Sequence, residues 1–473
     1  MKSRRWRFYV FVVAAAILLV TALGATAFFA TDAGRNAYAE ARNRSPQSLI
    51  RYTLRRLEGH PKLEWIAHPG LYALQRHYER TPPPGSLPTL GKGQQTTQVA
   101  TPTADASATV RVDTEAGILD ALFNAKPGTR IVIAPGQYRF NKTIRLGQDG
   151  RPREPISVRA IVPGSVRLNF THTQGILVDR PYWTFENLDI RGACAPQEDC
   201  EHAFHVVGAA AFTTLRNNHL QDFNAHIKVN GLNGEWPDHG LVAFNTLTNA
   251  SARQTLGSVV AFDLVGASHW KVQDNLVTNF AKLHGNRVAY GLFMKGAGES
   301  GRFERNLVIC SPSGVSEPGE RVGISFGGGG SDPGVCREDG CRAFEHRHGL
   351  AANNIVAHCN DSGIDVNGSS NIVVAHNTLI NTAGFSARKG STKVRLLSNL
   401  YEGHVSTQQS SLPEMEWNVK AEPATLFMNP DGLSFLWLDR PAGVPSRAFV
   451  TIDFKGTRRE AITLPGALDE RLP

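Results

Sequence analysis

The sequence predicts an all-β chain, a right-handed parallel β-helix (solenoid) with an N-terminal capping helix, preceded by a transmembrane helix and a helical stalk. Three observations predict it. Asparagine followed by apolar residues recurs at Asn187, Asn218, Asn245, Asn275, Asn306, Asn354, Asn377 and Asn399, in steps of 31, 27, 30, 31, 48, 23 and 22 residues. Recurrence at about 20–50 residues marks a solenoid or array. The runs between are short, β-branched and punctuated by Gly and Asn, which excludes helical repeats. Asparagine suits the pattern for two reasons: it tolerates a left-handed turn, and stacked amides can hydrogen-bond from rung to rung. The third observation is an uncharged run at residues 8–30.

That run spans 23 residues, and a spanning helix needs roughly 20. Lys2, Arg4, Arg5 and Arg7 precede it, so the positive-inside rule leaves residues 1–7 in the cytoplasm and sends the remainder out. The expected location is an inner membrane crossed once, with the C-terminal domain periplasmic or extracellular. A cleaved signal peptide is the alternative, because Ala25-Thr26-Ala27 resembles a cleavage site. Residues 31–80 are expected to be a juxtamembrane helical segment. Leu49, Ile50, Tyr52, Leu54 and Leu57 interleave there with Arg51, Arg55 and Arg56, a basic amphipathic pattern suited to a membrane surface or an inner-membrane partner. Residues 81–107 are rich in Pro, Thr and Gln and read as a linker. Residues 108–473 form the solenoid domain.

The net charge is +8, from 50 Lys+Arg against 42 Asp+Glu. Residues 1–107 hold 14 basic and 6 acidic residues, leaving 36 of each for residues 108–473. The large domain is neutral overall, so the basic balance gives no reason to expect nucleic acid.

The domain opens with an amphipathic helix over 114–122, placed to cover the first rung. A strand follows at Arg130–Ala134. The six cysteines fit an oxidising compartment. Cys194 and Cys200 are close in sequence, as are Cys336 and Cys341, and each pair could staple a surface loop. Cys310 and Cys359 occupy similar places in neighbouring repeats, as a third bridge or as buried thiols.

Stacking each strand by its trailing glycine aligns the triplets 228–230, 263–265, 293–295, 325–327, 365–367 and 386–388. Side chains alternate faces along a strand, so the outward strip carries Lys228, Asn230, Asp263, Phe293, Lys295, Ser325, Asp365, Asn367 and Arg388. A polar strip with an aromatic suits sugar rings. The 48-residue step holds an insertion that begins with a glycine run at Gly327–Gly330 and ends with Glu345-His346-Arg347-His348. It reads as a groove wall that could bring a cation and an imidazole to the strip. No helix carrying Lys-Ser/Thr follows the glycines, so a P-loop is excluded.

With Pro127-Gly128-Thr129, Pro135-Gly136-Gln137-Tyr138, the asparagine turns and the ending Asp453–Arg458, residues 108–465 resemble the pectin-lyase-like parallel β-helix superfamily. Within it they are most similar to polysaccharide lyases of the chondroitinase B and alginate lyase type. The resemblance implies a polysaccharide partner and β-elimination of an acidic polymer. The segment Gly291-Leu292-Phe293-Met294-Lys295 resembles the strand carrying the lysine base of those lyases, so Lys295 is the implied base. Arg347, His346 or His348 would then neutralise or assist. The lyases place two glutamates upstream of that lysine to bind Ca2+, where this chain has 286–290 without a carboxylate; they also carry an arginine on the next rung, where this chain has glycine. Three functions follow as expectations: lyase, uronate C5-epimerase, or a non-catalytic carbohydrate-binding or assembly factor. A polygalacturonase-type hydrolase needs clustered aspartates, and Asp263 and Asp365 are three rungs apart in this stacking.

Overall fold

In a computed structural model of the protein, the structure describes Ile50, Thr53, Leu57 and residues 60–77, 108–312, 319–328, 331–430 and 432–469. Three parallel sheets of 12, 10 and 11 strands, here sheets 1, 2 and 3, wind around one axis. Each turn of chain adds one strand to each sheet, so strands adjacent within a sheet are separated in sequence by a whole turn. This is a parallel β-helix.

The interior is a stack of apolar columns. In sheet 2, Phe204, Ile227, Phe262, Leu292 and Ile324 are paired in register and fully buried. Each rung repeats the same burial about 4.8 Å further along, which is why apolar residues recur at fixed offsets. The helix Glu115–Asn124 closes the first turn. Thr114 caps it by accepting a hydrogen bond from the Gly117 N–H at 3.1 Å, and Ile118 and Leu122 are buried.

The asparagines divide the two roles expected of them. The hydrogen-bonded ladder runs Asn218, Asn245, Asn275, Asn306, Asn354, Asn377, Asn399 and Asn418, each side-chain oxygen taking the amide of the residue before it at 2.8–3.1 Å. The left-handed turn belongs instead to the preceding residue: Asn217, Phe244, Asp274, Arg305, Asn353, His376, Ser398 and Trp417 all have φ between 51° and 61°. The expectation that one asparagine serves both purposes is therefore corrected. Asn187, with φ 63°, is a turn residue that pairs with Asn217, and Leu188 occupies the ladder position on that rung.

All three cysteine pairs are disulfides: Cys194–Cys200, Cys310–Cys359 and Cys336–Cys341. Beyond the solenoid, the C-terminal segment turns back along its outside. Val450 packs on Leu350, Ala352, Ala375 and Leu397 of sheet 1, while Phe454, Ala467 and Leu468 pack on Ile355 of sheet 3. Sheets 1 and 3 thus have apolar outer patches that the chain itself covers. The outer face of sheet 2 carries the polar strip.

Part of the expected stalk is helical, at Pro61–His77. Residues 8–30 lie outside the described residues. Among the described residues no helix is long and apolar enough to cross a membrane.

Candidate functional site

The register of sheet 2 fixes the site. Lys228, Asp263, Phe293, Ser325 and Asp365 form one outward column, as the triplet stacking predicts. Asn230, Val265 and Lys295 form the next, and Asn367 pairs with Arg388 further along it.

Two ion pairs organise these columns. Lys228 Nζ lies 2.5 Å from Asp263 Oδ2. Burial pushes the Asp263 carboxyl up, but the charges of Lys228 and then Lys295 outweigh it and hold the group below its ordinary value. Arg388 grips Asp365 through Nε at 3.1 Å and a terminal nitrogen at 2.8 Å, and Ser325 Oγ approaches the same carboxylate at 3.4 Å. Asp365 is fully buried in this arrangement, and its charge holds the Arg388 guanidinium above its ordinary value. Lys295 differs from both cations. Its ammonium makes no hydrogen bond or ion pair among the described residues and sits 4.8 Å from the centre of the Phe293 ring.

Aromatic and imidazole rings line the same face. Tyr290 stacks on Phe293 at 4.3 Å with planes 9° apart. His202 and His205 lie 5.0 Å apart one end of the strip over, and His205 Nε2 meets Asn230 Oδ1 at 2.8 Å. Burial, helped by His205 and Lys228, lowers His202 to about 3. The pairs 290/293 and 202/205 break strict alternation because each strand bends. The residue after the first ring is small and faces inward: a Cβ on Gly291 would lie 3.0 Å from Val308 Cγ1, and Ala203 is fully buried. Tyr290 and His202 fall outside strict alternation for this reason, whereas His205 is in register with Lys228 on a rung before the first aligned triplet. The signal was in the sequence, as a glycine or alanine within a strand.

The insertion forms one wall. Arg337 binds Asp238 at 2.8 and 3.0 Å and Ser268 Oγ at 3.1 Å, and its guanidinium lies 5.6 Å from the Trp236 ring. Trp236 lies flat on Gly231 and Gly266, where a Cβ would strike its ring. The Cys336–Cys341 bridge closes the loop beside Arg337.

The structure does not bring the His-Arg-His tract to Lys295 as free groups. His346 is fully buried, stacks on Phe326 at 5.3 Å and accepts the Gly301 N–H at Nε2. Arg347 is committed to Glu299 at 2.7 Å and Glu338 at 3.8 Å, over the Phe344 ring. His348 is exposed and bonds Asn371. Among the expected substrate residues, Phe293 is only 4% exposed and Asn367 2%, whereas Lys228, Asn230, Lys295 and Arg388 are half-buried.

The donors do not suit Ca2+. No group of three His, Cys, Asp or Glu among the described residues could hold a metal. The unpartnered Asp263 Oδ1 lies in the field of two lysines, which opposes a second cation there.

Buried imidazoles give the fold a pH dependence. Burial lowers His226 to about 4 and His346 to about 3. The unfolded chain, with histidines near about 6.5, takes up more protons across that interval. Their contribution is therefore complete above about pH 6.5 and is lost as pH falls toward about 4. The midpoint of thermal unfolding should drop across this window. Replacing both histidines by glutamine should flatten the drop; an unchanged profile in that variant would refute the assignment.

No protein-family model matches the chain, and no curated protein matches it. Solved structures that align with it include a pectate lyase, at 12% identity over 77% of this chain and 97% of that one, with a TM-score of 0.49. A family 6 polysaccharide lyase from Pseudopedobacter saltans aligns at 11% identity over 70% and 96%, TM-score 0.38. The A-module of a mannuronan C-5 epimerase from Azotobacter vinelandii aligns at 10% identity over 65% and 95%, TM-score 0.36.

Proposed function

We propose that the chain binds and acts on an acidic polysaccharide along the outer face of sheet 2, held by residues 8–30 at the periplasmic side of an inner membrane. Lys295 carries this reading. Of the three cations on the outward strip, Lys228 and Arg388 are paired with aspartates, and Lys295 makes no ion pair among the described residues. A half-buried ammonium beside Tyr290, with a wall of Trp236 and Arg337, supports recognition of a sugar ring bearing a carboxylate.

The reaction that fits is β-elimination. Lys295, after its ammonium has given a proton to water, takes as a neutral amine the proton on the carbon that bears the carboxylate. Its electron pair becomes a carbon–carbon double bond as the glycosidic carbon–oxygen bond breaks, and the leaving oxygen takes a proton from water. An epimerase would instead return a proton to the opposite face of the same carbon.

A second reading is favoured by one observation. Arg337, Arg347 and Arg388 are all committed to carboxylates, so each would have to leave its partner to neutralise a substrate. Lys295 acting as the carboxylate's counter-ion, without turnover, makes a binding or assembly factor. Incubating the full chain in detergent with alginate, glycosaminoglycan and pectin separates the two. Unsaturated uronate absorbance establishes the lyase, binding without product establishes the second reading, and neither outcome on any polymer removes both.

A further inference from the structure

The outer face of sheet 2 is not uniformly accessible. His205, Lys228, Asn230 and Lys295 are half-buried and reach the surface of the face, with Asp263, Val265 and Phe293 buried between them, and towards the N-terminal end the face stays open over Leu177 to the exposed Arg145. At the next rungs it is closed. Ser325 and Asp365 are 0% exposed.

Two structures close it. One is the strap formed by residues 327–328 and 331–345. Gly328 lies on the strip so closely that a Cβ there would be 2.9 Å from Phe293 Cζ and 3.3 Å from Lys295 Cδ. Gly327, at φ +85°, has no room for a Cβ against Asn367 O and Ser369 Oγ, so only glycine brings the chain across at this point. Ser325 Oγ donates to Gly327 O at 2.9 Å. The strap is pinned at both ends. Glu345 accepts the Ser331 N–H at 2.9 Å and its hydroxyl at 2.6 Å, and the Arg337–Asp238 pair ties it to the loop three rungs back. The other cover is the Arg388–Asp365 pair, which fills the floor beyond the strap.

We propose that this cleft is blind at the Lys295 rung and takes one end of an acidic polysaccharide chain. The terminal uronate meets Lys295, and the polymer leaves over Lys228 and His205 towards Arg145. This rests on the reading of Lys295 as the group that faces the uronate. The half-buried polar groups from His205 to Lys295 span three rung intervals, about 14 Å. A polymer crossing the whole face would have to climb the strap and lose contact with the floor.

End binding and internal binding differ in stoichiometry. The full chain in detergent is titrated with polygalacturonate and alginate fractions of different mean length at equal mass. If chain ends are bound, doubling the mean length halves the protein bound per gram. Protein bound per gram that is independent of length overturns the blind cleft but leaves the Lys295 reading standing. Failure to bind fractions of any length removes that reading and the blind cleft with it, a distinct result. A variant with Arg337→Ala, Cys336→Ser and Cys341→Ser releases the strap and should add binding that does not depend on length. Length dependence unchanged in a folded variant would show that the strap is not the barrier.

Discussion

Lys295→Ala is expected to weaken binding of an acidic polysaccharide by about tenfold to a hundredfold at a small cost in thermal stability. The magnitude is that of one charge-assisted hydrogen bond, about 1.5–3 kcal/mol. The small stability cost follows from what the ammonium touches: the Phe293 ring, and the buried Asp263 only through its field. It has no hydrogen bond or ion pair among the described residues to forfeit, and Asp263 keeps its contact with Lys228 at 2.5 Å. Lys228 offers no such clean variant, because its removal strands a buried carboxylate, a loss of about 3–5 kcal/mol. If Lys295 is also the base, turnover should fall further than affinity, since general-base catalysis contributes about a hundredfold or more. Titration calorimetry with a polyuronate, beside thermal unfolding of the same preparation, checks both halves. Unchanged affinity in a variant of native stability would dismiss Lys295 as the substrate-facing cation.

The parts of this site legible in sequence were those that obey a fixed period. The triplets ending at 230, 265, 295, 327, 367 and 388 align in space because each strand pairs in parallel with the same offset. What alternation could not supply was burial by distant segments. Phe293 has an outward position on its strand but is covered by Gly328 and Tyr290, forming contacts that depend on where an insertion folds back. His346 stands in a charged tract that reads as exposed loop, yet it enters the core against Phe326 because the insertion rejoins the solenoid there. Tyr290 and His202 could have been found by treating the inward glycine or alanine as a bend. Asn418 does not stand out in the sequence because Lys420 lies two residues on, where the ladder asparagines from Asn218 to Asn399 each have an apolar residue, although its oxygen takes the Asn399 amide at 2.8 Å.

The same ladder makes the largest expected effect on stability. Asn306→Ala should cost about 3–5 kcal/mol. Asn306 Oδ1 accepts the Asn275 backbone N–H at 3.1 Å and the Asn275 side-chain amide at 2.9 Å; its own amide donates to Val272 O at 2.8 Å and Asn354 Oδ1 at 3.0 Å. All of these groups are shut off from water, since Asn275, Asn306 and Asn354 are 0% exposed. Alanine removes the carbonyl and the amino group of the side chain but leaves their partners on Asn275, Val272 and Asn354, and each stranded buried group costs about 1–3 kcal/mol. Position matters as well as count. Rung 306 lies near the middle of the solenoid, where each turn is stabilised by its neighbours on both sides, so a broken rung weakens two interfaces. Denaturant titration of the full chain should show the midpoint shifted down in proportion. A loss below about 1 kcal/mol would mean that the amide stack contributes no more than an ordinary exposed polar contact, and that apolar packing alone sets the register on which the Lys295 face depends.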